Sequence, residues 1–165
     1  MLPYKYILIG GQEMNYRSAI NTDLDRIYEL IQELAINEGM LEQVEVSKNE
    51  LDEMLFGSNP QMHCLVAENK RIVGIAVYYY KPSTWAGRIL HLEDLVVEAD
   101  IRGSGVGKTL FLKLAEIAKQ QKVGRMEWDL GVDNGKARNF YENHGATVAD
   151  EWRICRLYRN ALERL

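Results

Sequence analysis

Arg102-Gly103-Ser104-Gly105-Val106-Gly107-Lys108-Thr109 follows the apolar run Ile89-Leu90-His91-Leu92-Glu93-Asp94-Leu95-Val96-Val97 and opens a helical pattern near Val106. Three glycines at alternate positions, between a strand and a helix, let the backbone curl tightly and turn several N–H groups into one space. The helix dipole adds partial positive charge, so the stretch is an anion site before any side chain is considered. Phosphate or pyrophosphate is the expected anion. Two nucleotide templates fail on spacing. A Walker A loop needs its first glycine at position 102, which is Arg102, although Gly107-Lys108-Thr109 matches its tail. The dinucleotide fingerprint G-x-G-x-x-G meets only G-x-G-x-G in Gly103, Gly105 and Gly107. A glycine-rich turn without a ligand is the plain alternative.

Around this loop the chain reads as alternating elements. Asn15 to Ile20 is strand-like, and Thr22 with Asp23 and Asp25 reads as a helix cap with acid in the first turn. Leu24, Ile27, Tyr28, Ile31, Leu34 and Ala35 recur at helical spacing down to Gly39, with Glu38 where the helix stops. Ser47-Lys48-Asn49-Glu50 is a capping box for a second helix that closes at Gly57 and Pro60. Met62–Glu68 and Arg71–Tyr80 form an expected hairpin about Asn69-Lys70, and Pro82–Gly87 a loop. Tyr78-Tyr79-Tyr80 is expected to pack on alternate sheet faces.

Arg88–Val97 reads as a central strand interrupted by Glu93-Asp94. Two adjacent carboxylates there take opposite faces unless a bulge intervenes, and at least one should face a cleft, because an unpaired buried charge is costly. A helix over 105–121, a strand over 125–130, a helix over 136–143 ended by Gly145, and a last strand over 152–158 complete the pattern. The expected fold is a mixed α/β sheet of six or seven strands with about four helices. Residues 1–13 read as an N-terminal extension and 14–165 as a single domain.

At 165 residues one domain buries roughly 70% of its unfolded surface. A net charge of −4 argues against a nucleic-acid surface and is compatible with a cationic substrate. Cys64 and Cys155 make no disulfide framework, which points to a reducing cytoplasm. His63, His91 and His144 have no ligand-like spacing, so no metal is expected. No apolar stretch approaches the length of a spanning helix, and no membrane partner is expected.

Two segments carry a family resemblance. Arg102, Gly105 and Gly107 fit the acyl-CoA loop [QR]-x-x-G-x-[GA] of the GCN5-related N-acetyltransferase (GNAT) superfamily. Asn134-x-x-Ala137-x-x-Phe140-Tyr141-Glu142-x-x-Gly145-Ala146 resembles its second signature, at the right separation. The sequence is most similar to the branch of diamine (spermidine/spermine) and thialysine N-acetyltransferases. Leu30–Ala35, Glu42-Gln43-Val44, Phe56-Gly57 with Pro60, His63–Glu68, Leu92-Glu93-Asp94 and Trp152 carry that likeness over roughly 17–158.

The resemblance implies a GNAT fold whose parallel central strands, 89–97 and 125–130, splay apart. It implies acetyl-CoA as co-substrate, with the pantetheine arm on the backbone near Leu95 and Val97. The pyrophosphate would rest on Arg102, Gly103, Ser104, Gly105, Val106, Gly107 and Lys108, and Asn134 and Ala137 would meet the cofactor arm. Tyr141 would protonate the departing thiolate, and Glu93, directly or through water, would deprotonate the ammonium. Glu38, Asp94 and Trp152 would line the amine pocket, and a backbone N–H near Val97 would meet the oxyanion. A homodimer is expected from the relatives. Asn37 and Gly39 stand where relatives carry aromatics, and Asp129-Leu130-Gly131-Val132-Asp133 departs from the usual pattern, which implies a wider or differently charged pocket wall. Other amine acceptors (a protein, an amino acid or an antibiotic) and a non-catalytic acyl-CoA-binding domain stay open as alternatives.

Overall fold

The structure is a computed structural model, which describes residues 8–9 and 12–165. The remaining positions of the expected N-terminal extension lie outside the described residues. Leu8–Ile9 (β1) and Gln12–Glu13 (β2) pair antiparallel as a separate two-stranded ribbon. The described residues fall into two compact units, one ending at Asp129 and one spanning Leu130–Leu165.

The first unit is built on a five-stranded sheet in the order β3-β4-β5-β6-β7. Its strands are Asn15–Ser18 (β3), His63–Asn69 (β4), Arg71–Ser83 (β5), Gly87–Val97 (β6) and Arg125–Trp128 (β7). β3 to β6 pair antiparallel and β6 pairs parallel with β7, so the mixed sheet is as expected. The expected hairpin turns at Lys70, which takes φ +58° between Asn69 and Arg71. The second hairpin is longer than its sequence indicates. Its strands run on to Ser83 and Gly87, and Ser83 Oγ accepts the N–H groups of Trp85 and Ala86 at 3.2 and 3.1 Å.

Helix α1 (Leu24–Asn37) and α2 (Lys48–Phe56) cover one face. Ile27, Leu30, Leu51 and Leu55 pack there against Cys64, Val66, Ile75, Val77 and Val96 in one buried cluster. The capping box holds: Ser47 Oγ accepts the Glu50 N–H at 3.2 Å, and the Glu50 carboxylate takes the Ser47 N–H at 2.8 Å. Thr22 is not the first cap. Asp23 accepts the Ile20 N–H at 2.8 Å and is gripped by Arg17, whose guanidinium holds the Asp23 carboxyl below its ordinary range. A charged partner on β3 outweighs the local preference of a threonine.

Helix α3 (Val106–Gln120) covers the opposite face. Gly74 permits its close approach, since a Cβ there would stand 3.1 Å from Val96 O and 3.2 Å from Val106 Cγ1. Val106, Leu110 and Leu114 are buried in consequence. At the end of β6, buried Glu98 accepts from Arg26 of α1 and from Arg71 of β5, with Arg71 Nη2 at 2.8 Å. These pairs pin the segment that leads into the glycine loop.

The second unit holds α4 (Gly135–Glu142) and a short α5 (Arg159–Leu162). Past Glu142 the chain turns through Gly145, at φ +88°, as expected of a helix-ending glycine. The expected strand over 152–158 is not formed, and the sheet therefore has five strands, not six or seven. Apolar and aromatic residues alone make no strand: Trp152 to Tyr158 have no ladder partner among the described residues, and all seven are exposed.

Candidate active site

The site is organised by the point at which β6 and β7 stop pairing. Their parallel register runs from Ile89↔Arg125 to Leu92↔Trp128 and ends there. Opposite β5, the register passes from Tyr78↔Leu92 to Val77↔Asp94, so Glu93 is the extra residue of a β-bulge. A bulge bends and twists its strand. Beyond it, Asp94 to Val97 remain on the β5 ladder but have no strand on the other side among the described residues. The two central strands are parallel as expected, and β7 ends where their pairing ends.

Past that opening the chain enters the glycine loop through a 3₁₀ turn, Ala99–Ile101. Arg102 Nε donates to the Val97 carbonyl at 3.0 Å, and Ser104 N–H to Ile101 at 3.2 Å. Gly103 and Gly105 lie at φ +82° and +95°, in the left-handed region that side chains disfavour. The Gly105 carbonyl then receives the Thr109 N–H at 3.0 Å and starts α3. Among the described residues, the N–H groups of Gly103, Gly105, Val106, Gly107 and Lys108 have no acceptor. Val106 is anchored with 1% exposure while its amide stays available. Free amides at the positive end of a 15-residue helix form an anion cradle.

The bulge separates the two carboxylates. Glu93 is exposed, while Asp94 is partly buried opposite Val77. Burial, and then the neighbouring Glu93 charge, raise the Asp94 carboxyl to about 6. No cation or hydrogen-bond donor among the described residues reaches Asp94, which leaves it available to an incoming ammonium. Glu93 faces the ring of His91, with Oε2 at 3.6 Å from Nε2. His91 has no role in the sequence beyond its exclusion as a metal ligand. A polar residue between Leu90 and Leu92 in a central strand was the available signal.

The aromatic run takes alternate faces as expected. Tyr78 and Tyr80 meet His63, with Arg88 3.7 Å from the Tyr80 ring, and Tyr79 stacks on His91 at 4.9 Å. Glu38 is exposed and closes α1 by donating its N–H to Leu34 at 3.0 Å.

Within the second unit, Asn134 is the cap of α4, its Oδ1 accepting the Ala137 N–H at 3.1 Å. The cap commits its oxygen and leaves the amide nitrogen as a donor. Tyr141 is partly buried beside Phe140, with ring centres 5.1 Å apart, and burial raises its phenol above the ordinary value. His144 Nδ1 stands 2.7 Å from the Phe140 carbonyl and fixes the helix end. Trp152 is 68% exposed. No group of three or more His, Cys, Asp or Glu among the described residues is arranged to hold a metal ion.

The family described as "Acetyltransferase (GNAT) family" matches residues 24–146. The chain is 35% identical to a thialysine N-epsilon-acetyltransferase from Sus scrofa, over 90% of this chain and 95% of that protein. It is 32% identical to spermidine/spermine N(1)-acetyltransferase-like protein 1 from Homo sapiens, over 88% of this chain but 23% of that longer protein. Among solved structures, a Trypanosoma brucei acetyltransferase is 28% identical with a TM-score of 0.70, covering 88% of this chain and 99% of that one. An integron cassette protein from V. cholerae has a TM-score of 0.74 at 24% identity, over 93% and 98% of the two chains, and so shows the fold alone. Cradle, parallel central strands and these likenesses agree: the chain belongs to the GNAT family of N-acetyltransferases.

Proposed function

We propose that the protein transfers acetyl from acetyl-CoA to a primary amine of a small cationic acceptor, by direct attack within a ternary complex. The acceptor class is a diamine, a polyamine or a thialysine-like amino acid. One observation carries this reading: the unsatisfied amides of Gly103, Gly105, Val106, Gly107 and Lys108 follow the same strand that carries Glu93 and Asp94 just past its last pairing with β7. The free amides of Gly103, Gly105, Val106, Gly107 and Lys108 would hold the pyrophosphate, with the side chains of Arg102 and Ser104 beside them, and the backbone of Leu95 and Val97 the pantetheine arm. Asn134, through its free amide nitrogen, and Ala137 would support that arm.

An amine of pKa near 10 arrives as ammonium and cannot attack until it loses a proton. Glu93 removes that proton, directly or through water, while Asp94, Glu38 and Trp152 hold the cationic chain. A backbone N–H near Val97 meets the developing oxyanion, and Tyr141 gives its proton to the departing sulfur. Burial of Tyr141 keeps the phenol protonated until that moment. Asp94, raised to about 6, is the competing proton acceptor; a larger turnover loss in Asp94→Asn than in Glu93→Gln would assign the base to it.

The protein is further proposed to act in the cytoplasm as a homodimer, and a monomer mass by light scattering would reject the dimer. An acceptor screen with acetyl-CoA, read by mass spectrometry, tests the function. Addition of one acetyl group to diamines or thialysine-like amino acids is expected. Labelling of none of these amines would overturn the proposal.

A further inference from the structure

An ammonium and a thioester become an amide, a thiol and one free proton. One of the two protons lost by the nitrogen ends on sulfur. The other must leave the base in every turnover, or the base stays neutral. The structure places one buried group behind Glu93. His91 is 9% exposed, and its Nδ1 has no hydrogen-bond partner among the described residues. Its Nε2 stands 3.6 Å from Glu93 Oε2 and its Nδ1 3.9 Å from Glu127 Oε1.

These positions follow from the sheet. Tyr79, His91 and Glu127 are direct cross-strand partners on β5, β6 and β7. Stacking on Tyr79 holds the imidazole plane, which directs one nitrogen towards each carboxylate. Glu127 is itself fixed by Lys81 Nζ at 2.5 Å and Arg125 Nε at 2.6 Å, and they hold its carboxyl below the ordinary range. It therefore stays ionised as His91 gains charge. Both gaps exceed hydrogen-bond length, and the exposed Glu93 side chain would have to turn to close the first.

We propose that His91 is a positioning and proton-relay residue: it takes at Nε2 the proton that Glu93 removes from the acceptor, and holds it between Glu93 and Glu127. This rests on the amine-acetyltransfer reading above. The step balances. The ammonium loses a proton to the Glu93 carboxylate. Glu93 passes it to the lone pair of neutral His91 and returns to the anion. The imidazolium then gives one proton to solvent after the acyl transfer, and no other reactant is needed. Glu93 is thereby ionised again before the next acceptor binds.

The test uses the full chain with acetyl-CoA and the best amine from the screen. Rates are measured from pH 6.5 to 9.5 for His91→Gln, His91→Ala and Glu127→Gln. For His91→Gln, kcat should fall about tenfold or more near pH 7, with both KM values nearly unchanged. The deficit should shrink towards pH 9.5, where more of the amine arrives neutral. Added imidazole should restore part of the rate of His91→Ala. Glu127→Gln should lose a few-fold in kcat with the same pH trend, and it decides the matter if the His91 variants do not fold. A loss uniform across pH without imidazole rescue, or unchanged kcat, would overturn the relay. If the wild-type chain acetylates no amine, the parent reading fails instead.

Discussion

The glycine loop and the acid bulge flank the last residues of β6 and offer a ligand opposite kinds of group. The loop presents backbone amides: Gly103 and Gly105 set the path, Val106 anchors it, and the exposed side chain of Lys108 is incidental to the cradle. The bulge presents side chains: Glu93 exposed, Asp94 partly buried, His91 behind them. A donor with one invariant pyrophosphate suits a fixed backbone site. Acceptors that vary in length and charge suit a site whose side chains can be exchanged without altering the fold.

If that division is right, the same kind of substitution should act differently in the two places. The largest effect is expected from Glu93→Gln, which should lower kcat by roughly 10²–10⁴-fold while calorimetry shows acetyl-CoA affinity unchanged. A parallel loss of cofactor affinity would break the separation.

Asp94→Asn comes next and is a stability effect. The folded carboxyl, near 6, lies above its ordinary value of 3.8, so the fold favours the protonated acid. Stability is then lost as pH rises from about 4 to about 6, and the penalty is complete above that window. Removing the charge should stabilise the protein by roughly 3 kcal/mol at pH 7.5 and by almost nothing at pH 3.5, read by urea titration. An equal gain at both pH values would show that burial of the charge is not the cause.

Gly105→Ala should cost about 1 kcal/mol of stability and weaken acetyl-CoA binding, because φ +95° is strained for any side chain. Unchanged binding would show that the loop conformation is not what recognises the donor. Smallest of all, Lys108→Ala should change acetyl-CoA affinity by no more than about threefold, as expected of an exposed charge screened by salt. A hundredfold loss would make the cradle a side-chain site after all.

Legibility in the sequence follows the same division. The glycine spacing, the Ser47–Glu50 box and the Asn69-Lys70 turn are local devices, and each is realised by the residues that signal it. The bulge is half legible: Glu93-Asp94 signals either opposite faces or a bulge, and only pairing with Val77 and Tyr78 selects the latter. Asp23 displaces Thr22 as the start of α1 because Arg17 of another element grips it. Trp152 to Tyr158 is rich in strand-favouring residues but lacks a partner edge among the described residues. His91 acquires meaning only when Tyr79 and Glu127 are brought beside it from two other strands. Nonlocal contacts decide all four.

Direct transfer without an acyl-enzyme is tested most plainly by mixing the protein with acetyl-CoA, with and without a diamine, and following thiol release and intact protein mass together. The expected result is an unchanged protein mass and no thiol burst in the absence of amine, with thiol and acetyl-amine formed one to one when both substrates are present. A burst of thiol with an acetyl group added to the protein before any amine is supplied would contradict it.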